Sequence, residues 1–178
     1  LDVYEQFGLV GRRSVRAHCI HLDETDRATM AERGASMAYC PTSNLFLGSG
    51  LFDMDAADAG ANQVALATDV GGGSSFSMLR TMGEAYKVAQ VKGQRLTPGR
   101  LLYLATLGGA SAMDRDNTLG NFTAGKEADV VVLNPNATPL TARRCAGVES
   151  AEDTFFALTQ LGDDRHVAEV RVAGAVVS

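Results

Sequence analysis

The chain has 178 residues, 46% of them apolar and 21% charged, with a formal charge of −5, enough for one domain with a core or for one domain and part of another. That balance excludes a nucleic-acid partner, because no basic stripe is present to neutralise phosphates, and no run is long and apolar enough to span a membrane. Cys19, Cys40 and Cys145 are odd in number, widely spaced and outside any C-x-x-C pattern, which suits reduced thiols and a cytoplasmic location better than a disulfide framework.

The opening "LDVYEQFG" reads as the tail of a helix entered in mid-course, with no initiator Met and no signal-peptide pattern, so the chain is expected to be a fragment. "SVRAHCI" has the content of a short strand. "DETDRATMAERG" reads as a helix with Asp23 as N-cap and Gly34 as its left-handed stop. "ASMAYC" is a second strand closed by Pro41, and "PTSNLFLGSG" is expected to be a loop. A short acidic helix over "LFDMDAADAG" precedes a third strand, "QVALATD". "SSFSMLRTMGEAYKVAQVKG" predicts a long helix with Met78, Met82, Ala85, Val88 and Ala89 on one stripe. Thr97 and Pro98 then start a helix through "GRLLYLATLGGASAM".

This order of strands and helices predicts parallel α/β architecture. The character changes near Asp114. "LGNFTAGKEADVVVLNP" carries one strand, a loop segment follows, and "SAEDTFFALTQLG" is a helix capped by Ser150. "HVAEVRVAGAVVS" predicts two short strands around a tight turn at Ala173–Gly174, in a different layer from the first three.

Chemistry concentrates in "ALATDVGGGSSFSM", where an apolar strand ends in one carboxylate and three glycines. Side chains alternate across a strand, so Asp69 shares the small face with Ala65 and Ala67. In a closed barrel the crowded interior takes the small face, which places Asp69 at the C-terminal rim, where barrel enzymes hold their chemistry. His18 ends the first strand comparably, in parity with Ser14 and Arg16. Together an imidazole and a carboxylate at one rim hold a metal or move a proton. The plainer readings are a helix cap or turn for Asp69 and a hydrogen-bonded structural role for His18. His21, three residues on, is read as structural, and His166, beside two aspartates, as a surface residue. "GGGSSF" lacks the P-loop order, and Asp69 beside it would repel an anion.

Several stretches, "RAHCIHLDE", "GASMAYCPTSNLFLGSGLF", "ALATDVGGGSSFSMLRTMGEAYKV", "LYLATLGGA", "LGNFTAGKEADVVVLNP" and "LGDDRHVAEVRVAGAVV", together resemble the C-terminal half of guanine deaminases, within the amidohydrolase superfamily of metal-dependent hydrolases. The resemblance implies the C-terminal part of a (β/α)8 TIM-type barrel, strands six to eight, over residues 1–118. Residues 119–178 would return to an accessory β-sandwich with an intervening helix. It implies one zinc ion per active site with Asp69 as its eighth-strand ligand and as the residue that carries protons between water, purine base and leaving ammonia. His18 matches the sixth-strand histidine beside the attacking water. The implied reaction is hydrolysis of guanine to xanthine and ammonia, in an enzyme that is a homodimer when full length.

The departures from the family pattern are specific. No H-x-H pair and no fifth-strand histidine occur in the chain, so Asp69 is the one ligand of four expected here, and the polypeptide alone is expected to bind zinc poorly and to be inactive. Arg16 stands on the face assigned to the barrel interior, where it needs a carboxylate unless the assigned parity is off by one. The alternatives are an amidohydrolase acting on another purine, a pterin or a triazine and, from another class, a non-catalytic scaffold or partner fragment. A cytidine-deaminase type of zinc site needs H-x-E and P-C-x-x-C, which "YCPTSN" does not supply.

Overall fold

The computed structural model describes all 178 residues. In chain order, α1 (Asp2–Gln6) leads into β1 (Val15–Ala17), α2 (Glu24–Arg33), β2 (Ser36–Tyr39), α3 (Pro41–Phe46), α4 (Met54–Ala59) and β3 (Gln63–Leu66). Then come α5 (Met78–Val91), α6 (Pro98–Ala105), α7 (Leu107–Ala112), β4 (Val130–Leu133), α8 (Pro139–Cys145), α9 (Ala151–Leu161), β5 (Val167–Val172) and β6 (Ala175–Val176). β1, β2 and β3 pair in parallel with β2 in the centre, while β4, β5 and β6 form a separate antiparallel sheet.

Local chemistry sets the elements. Asp23 accepts the Asp26 N–H at 2.8 Å to open α2, and Gly34 closes it at φ +70°, where only glycine sits without strain. The Ala173–Gly174 turn has φ +48° and +83°, the paired left-handed geometry of a tight hairpin.

Several expectations need correction. "PTSNLFLGSG" is not all loop: Pro41 supplies the fixed φ of a helix start and Thr42, Ser43 and Asn44 are buried in α3. The helix after Pro98 breaks at Thr106, where Gly108 passes so close to the chain that a Cβ would lie 3.0 Å from the Val64 carbonyl oxygen. Within the segment after β4, Thr138 and Pro139 start α8 with the signal already read at Thr97–Pro98; the Thr138 hydroxyl accepts the Thr141 N–H at 3.2 Å. His166 is fully buried. Its Nδ1 accepts the Asp163 N–H at 3.1 Å, leaving Nε2–H to donate to the Thr141 hydroxyl at 3.0 Å.

The register settles the faces of the parallel sheet. Arg16, Met37 and Val64 pair across it, as do Ala17, Ala38 and Ala65, and paired residues project to the same side. Met37, Tyr39, Val64 and Leu66 belong to the main apolar core with Met30, Met82, Ala85, Leu101 and Leu104. The bulky row therefore meets the helices, and the alanine row forms the opposite face. Arg16 lies on the helix side, so its expected inward placement is wrong by one residue. No carboxylate meets it: Nη2 donates to the Leu9 carbonyl and the guanidinium carbon lies 4.3 Å from the Tyr4 ring centroid, a cation–π contact.

α5 buries one stripe on the sheet and packs on α9 through Gly83, where a Cβ would stand 2.5 Å from the Thr159 carbonyl oxygen. At the far end of the core, Asp53 caps α4 by accepting the Ala56 N–H at 2.9 Å, and it also accepts Gln94 Nε2 at 2.7 Å. The Ala56 backbone bond, with Lys92 and Gln94, holds its carboxyl below the usual carboxylate range. A lowered folded value means the carboxylate adds stability above the unfolded value near 3.8 and loses it as pH falls through the lower folded one. Asp53→Ala is expected to cost about 1 kcal/mol at pH 7, with the gap to the parent chain closing below about pH 4; urea melts at pH 7 and pH 3 check both.

Candidate active site

The parallel strands deliver their C-terminal ends to one rim. His18 follows β1, Cys40 follows β2, and Asp69 lies three residues beyond β3. The His18 N–H still donates to the Ala38 carbonyl at 2.9 Å, continuing the ladder by one bond. The backbone then turns left-handed, with φ +68° at His18 and +52° at Cys19. Strict alternation would aim His18 with Arg16 toward the helices. The left-handed turn breaks it, and Nε2 lies 3.8 Å from Asp69 Oδ2.

Asp69 is positioned by its loop. The Ala67 N–H donates to the Tyr39 carbonyl at 2.8 Å, extending the sheet past Leu66. Asp69 itself adopts φ +46°, a left-handed conformation that Asp tolerates better than most residues. The following glycines have a steric reason. A Cβ at Gly73 would sit 2.1 Å from the Thr68 carbonyl oxygen, and one at Gly72 would sit 3.2 Å from Asp69 Oδ2. The Thr42 hydroxyl donates to the same Thr68 carbonyl at 3.1 Å, tying the loop to the start of α3.

Two residues of the site were not read from the sequence. Asn44, 2% exposed, places Oδ1 2.8 Å from His18 Nδ1. An amide oxygen there accepts Nδ1–H and orients the ring with Nε2 toward Asp69. Cys40, 1% exposed, brings its Sγ into a group with His18 and Asp69 whose donor atoms all lie within 4.8 Å of one another. Burial pushes the Cys40 thiol above its ordinary value, and the Asp69 charge adds to the rise. The signal for Cys40 was present, since the last residue of any middle parallel strand reaches the same rim as its neighbours' ends. The His18 and Asp69 side chains remain 40% and 37% exposed, so the rim opens to solvent. His21 is exposed and makes no side-chain hydrogen bond, and His166 is remote from the rim, bonded to α8.

The family model described as the amidohydrolase family matches residues 1–177. This chain belongs to the amidohydrolase family. Among its relatives, a guanine deaminase of Escherichia coli K12 is 48% identical over 177 residues, covering 99% of this chain and 40% of the relative. The solved structure of E. coli guanine deaminase superposes with a TM-score of 0.97 at 47% identity, over 99% of this chain and 42% of that one. An adenosine deaminase from Xanthomonas campestris, described with bound zinc, matches with a TM-score of 0.83 at 28% identity, over 98% of this chain and 39% of that one. The chain thus spans about 40% of the length of the curated relatives it matches. Within this amidohydrolase chain, imidazole nitrogen, thiol sulfur and carboxylate oxygen at the rim form a group that could hold a metal ion. No helix is long and apolar enough to cross a membrane.

Proposed function

We propose that this chain is the C-terminal part of a zinc-dependent guanine deaminase, supplying strands six to eight of its barrel (β1 to β3) and part of its β-sandwich (β4 to β6). The observation that carries the reading is the meeting of His18 and Asp69 across 3.8 Å at the strand-end rim, in a chain similar to guanine deaminases along nearly its whole length. The barrel part takes residues 1–118 and the sandwich part 119–178, with α9 crossing back onto α5. Val131, Val172 and Val176, all exposed on the second sheet, offer apolar surface for a further layer. The homodimer rests on the family resemblance, and the cytoplasmic location on three free thiols.

Zinc, when bound, supplies a nucleophile at neutral pH by acidifying water. Asp69 serves as a ligand and accepts the water proton, then passes protons toward the ring and the departing amine. His18, its Nδ1–H committed to Asn44, presents Nε2 to accept an O–H from the attacking water and so fixes its lone pair toward the ring carbon. The left-handed turns at both residues hold this geometry before substrate arrives.

The test is a panel assay. The intact enzyme is expected to release xanthine and ammonia from guanine faster than it deaminates adenine, a pterin or an aminotriazine, while the 178-residue chain alone releases none. A faster rate on another heterocycle moves the assignment to that alternative. Guanine turnover by the chain alone overturns the division of the site between this chain and the rest of the enzyme.

A further inference from the structure

The first turn of α3 buries three polar side chains in a row, Thr42, Ser43 and Asn44. Burying polar groups costs free energy unless they are bonded, and two of these side chains bond sideways, to the ends of the neighbouring strands. α3 follows β2, the central strand of the parallel sheet, so it stands between the loops that leave β1 and β3. Residues two apart on a helix point about 200° from each other, and Thr42 and Asn44 take those two directions. The Thr42 hydroxyl donates at 3.1 Å to the carbonyl of Thr68, the residue before Asp69. Asn44 Oδ1 lies 2.8 Å from His18 Nδ1. One helical turn thus grips both residues whose side chains meet across 3.8 Å. Asn44 is the more telling of the two. Its Nδ2 is buried with no hydrogen-bond partner in the protein, a desolvation cost that an apolar side chain of similar volume would avoid, so folding alone does not account for an asparagine here.

We propose that Asn44 and Thr42 are positioning residues for the reaction, Asn44 by setting the direction of the His18 ring and Thr42 by setting the place of the Asp69 loop. The inference rests on the deaminase reading and deepens it. Both residues act through another side chain. Asn44 holds the ring by one atom, Nδ1, and so fixes which way the opposite nitrogen faces. Thr42 anchors the peptide that enters Asp69, a residue held at φ +46°, where a loosened loop has an easier backbone conformation to relax into. Neither residue makes or breaks a bond in the reaction. Their contribution is orientation, for which a displacement of about 1 Å costs on the order of a hundred-fold in rate.

The experiment measures kcat and KM on guanine for the intact protein and its N44L, T42V and T42S variants, with kcat taken per bound metal ion. N44L and T42V are each expected to lower kcat roughly ten- to a hundred-fold, with KM within about two-fold of the parent. T42S keeps the hydroxyl and is expected to restore the parental rate. N44L is expected to melt at or above the parental temperature, because it removes the orphaned amide; N44A stands in if leucine is not accommodated. Crystal structures of the same variants read the geometry without turnover: the His18 ring turns away from Asp69 in N44L, and segment 68–73 shifts in T42V. If the parent protein leaves guanine untouched, the deaminase reading falls and these structures alone decide the positioning roles. Parental kcat in both N44L and T42V, or an unmoved ring in N44L, overturns the proposal. So does a loss of rate in N44L that comes with a lowered melting temperature, or a T42S variant as slow as T42V.

Discussion

Asp69→Asn in the intact protein is expected, on the deaminase reading proposed above, to lower kcat on guanine by about a thousand-fold or more and to strip it of most of its metal. The melting temperature of the metal-free protein should stay within a few degrees. The choice of Asn follows from the backbone. Asp69 sits at φ +46°, where Asn is tolerated nearly as well as Asp but Ala is strained; an Ala variant would confound lost chemistry with a shifted loop. Asn also keeps the volume beside Gly72. What it removes is the negative charge, together with the capacity to accept and return a proton. A variant that retains near-parental turnover would take Asp69 out of the chemistry and leave it a turn residue, the plainer reading of a carboxylate at a strand end. Metal content measured beside kcat separates lost ligation from lost proton transfer, since a variant that keeps metal but not rate isolates the second role.

The legible part of this site was the pairing of a charge with glycines. An acid at the end of an apolar strand, followed by residues without side chains, marks a rim position where the backbone needs space, and the close approaches at Gly72 and Gly73 supply the cause. His18 was found for a partly mistaken reason. Its parity with Arg16 pointed inward only because the faces were assigned one residue out of step. The left-handed turn that brings it to Asp69 leaves no trace in a hydrophobic pattern. Cys40 and Asn44 were missed because each strand was read alone, whereas the site exists only between strands. His166 was placed on the surface by the charges around it. In the structure a short 3-10 turn, Asp164–His166, directs Arg165 outward to Asp163 and the imidazole inward to Thr141. Alternation of charge in sequence does not fix direction when the backbone turns every three residues. The parallel order of the first sheet and the separate layer of the second were legible because strand and helix periods differ clearly over those segments.

Tyr39→Ala is expected to cost about 3–5 kcal/mol of stability, while Tyr39→Phe is expected to cost nothing or to stabilise. Tyr39 is 2% exposed and stacks on Phe52 with ring centroids 4.5 Å apart, joining β2 to the segment that leads into α4. Truncation empties that volume, and the neighbours cannot collapse around a strand held on both sides. The hydroxyl is a separate matter. It is buried with no hydrogen-bond partner within the protein, so its removal relieves a desolvated polar group instead of breaking a bond. Burial first, and the nearby Glu84 charge second, push its ionisation above the ordinary tyrosine range. The folded chain therefore keeps this phenol protonated where the unfolded chain loses the proton. A raised folded value contributes stability below the unfolded value near 10 and forfeits it as pH rises through that value toward the folded one. Tyr39→Phe removes this loss, so its margin over the parent chain should widen above about pH 10 in alkaline denaturation curves. Cys19, pushed up to about 11 mainly by burial, contributes a similar slope to both proteins and cancels in the comparison. A Phe variant markedly less stable than the parent at pH 7 would mean that the hydroxyl is satisfied in solution, and the apolar account of this corner of the core would fail.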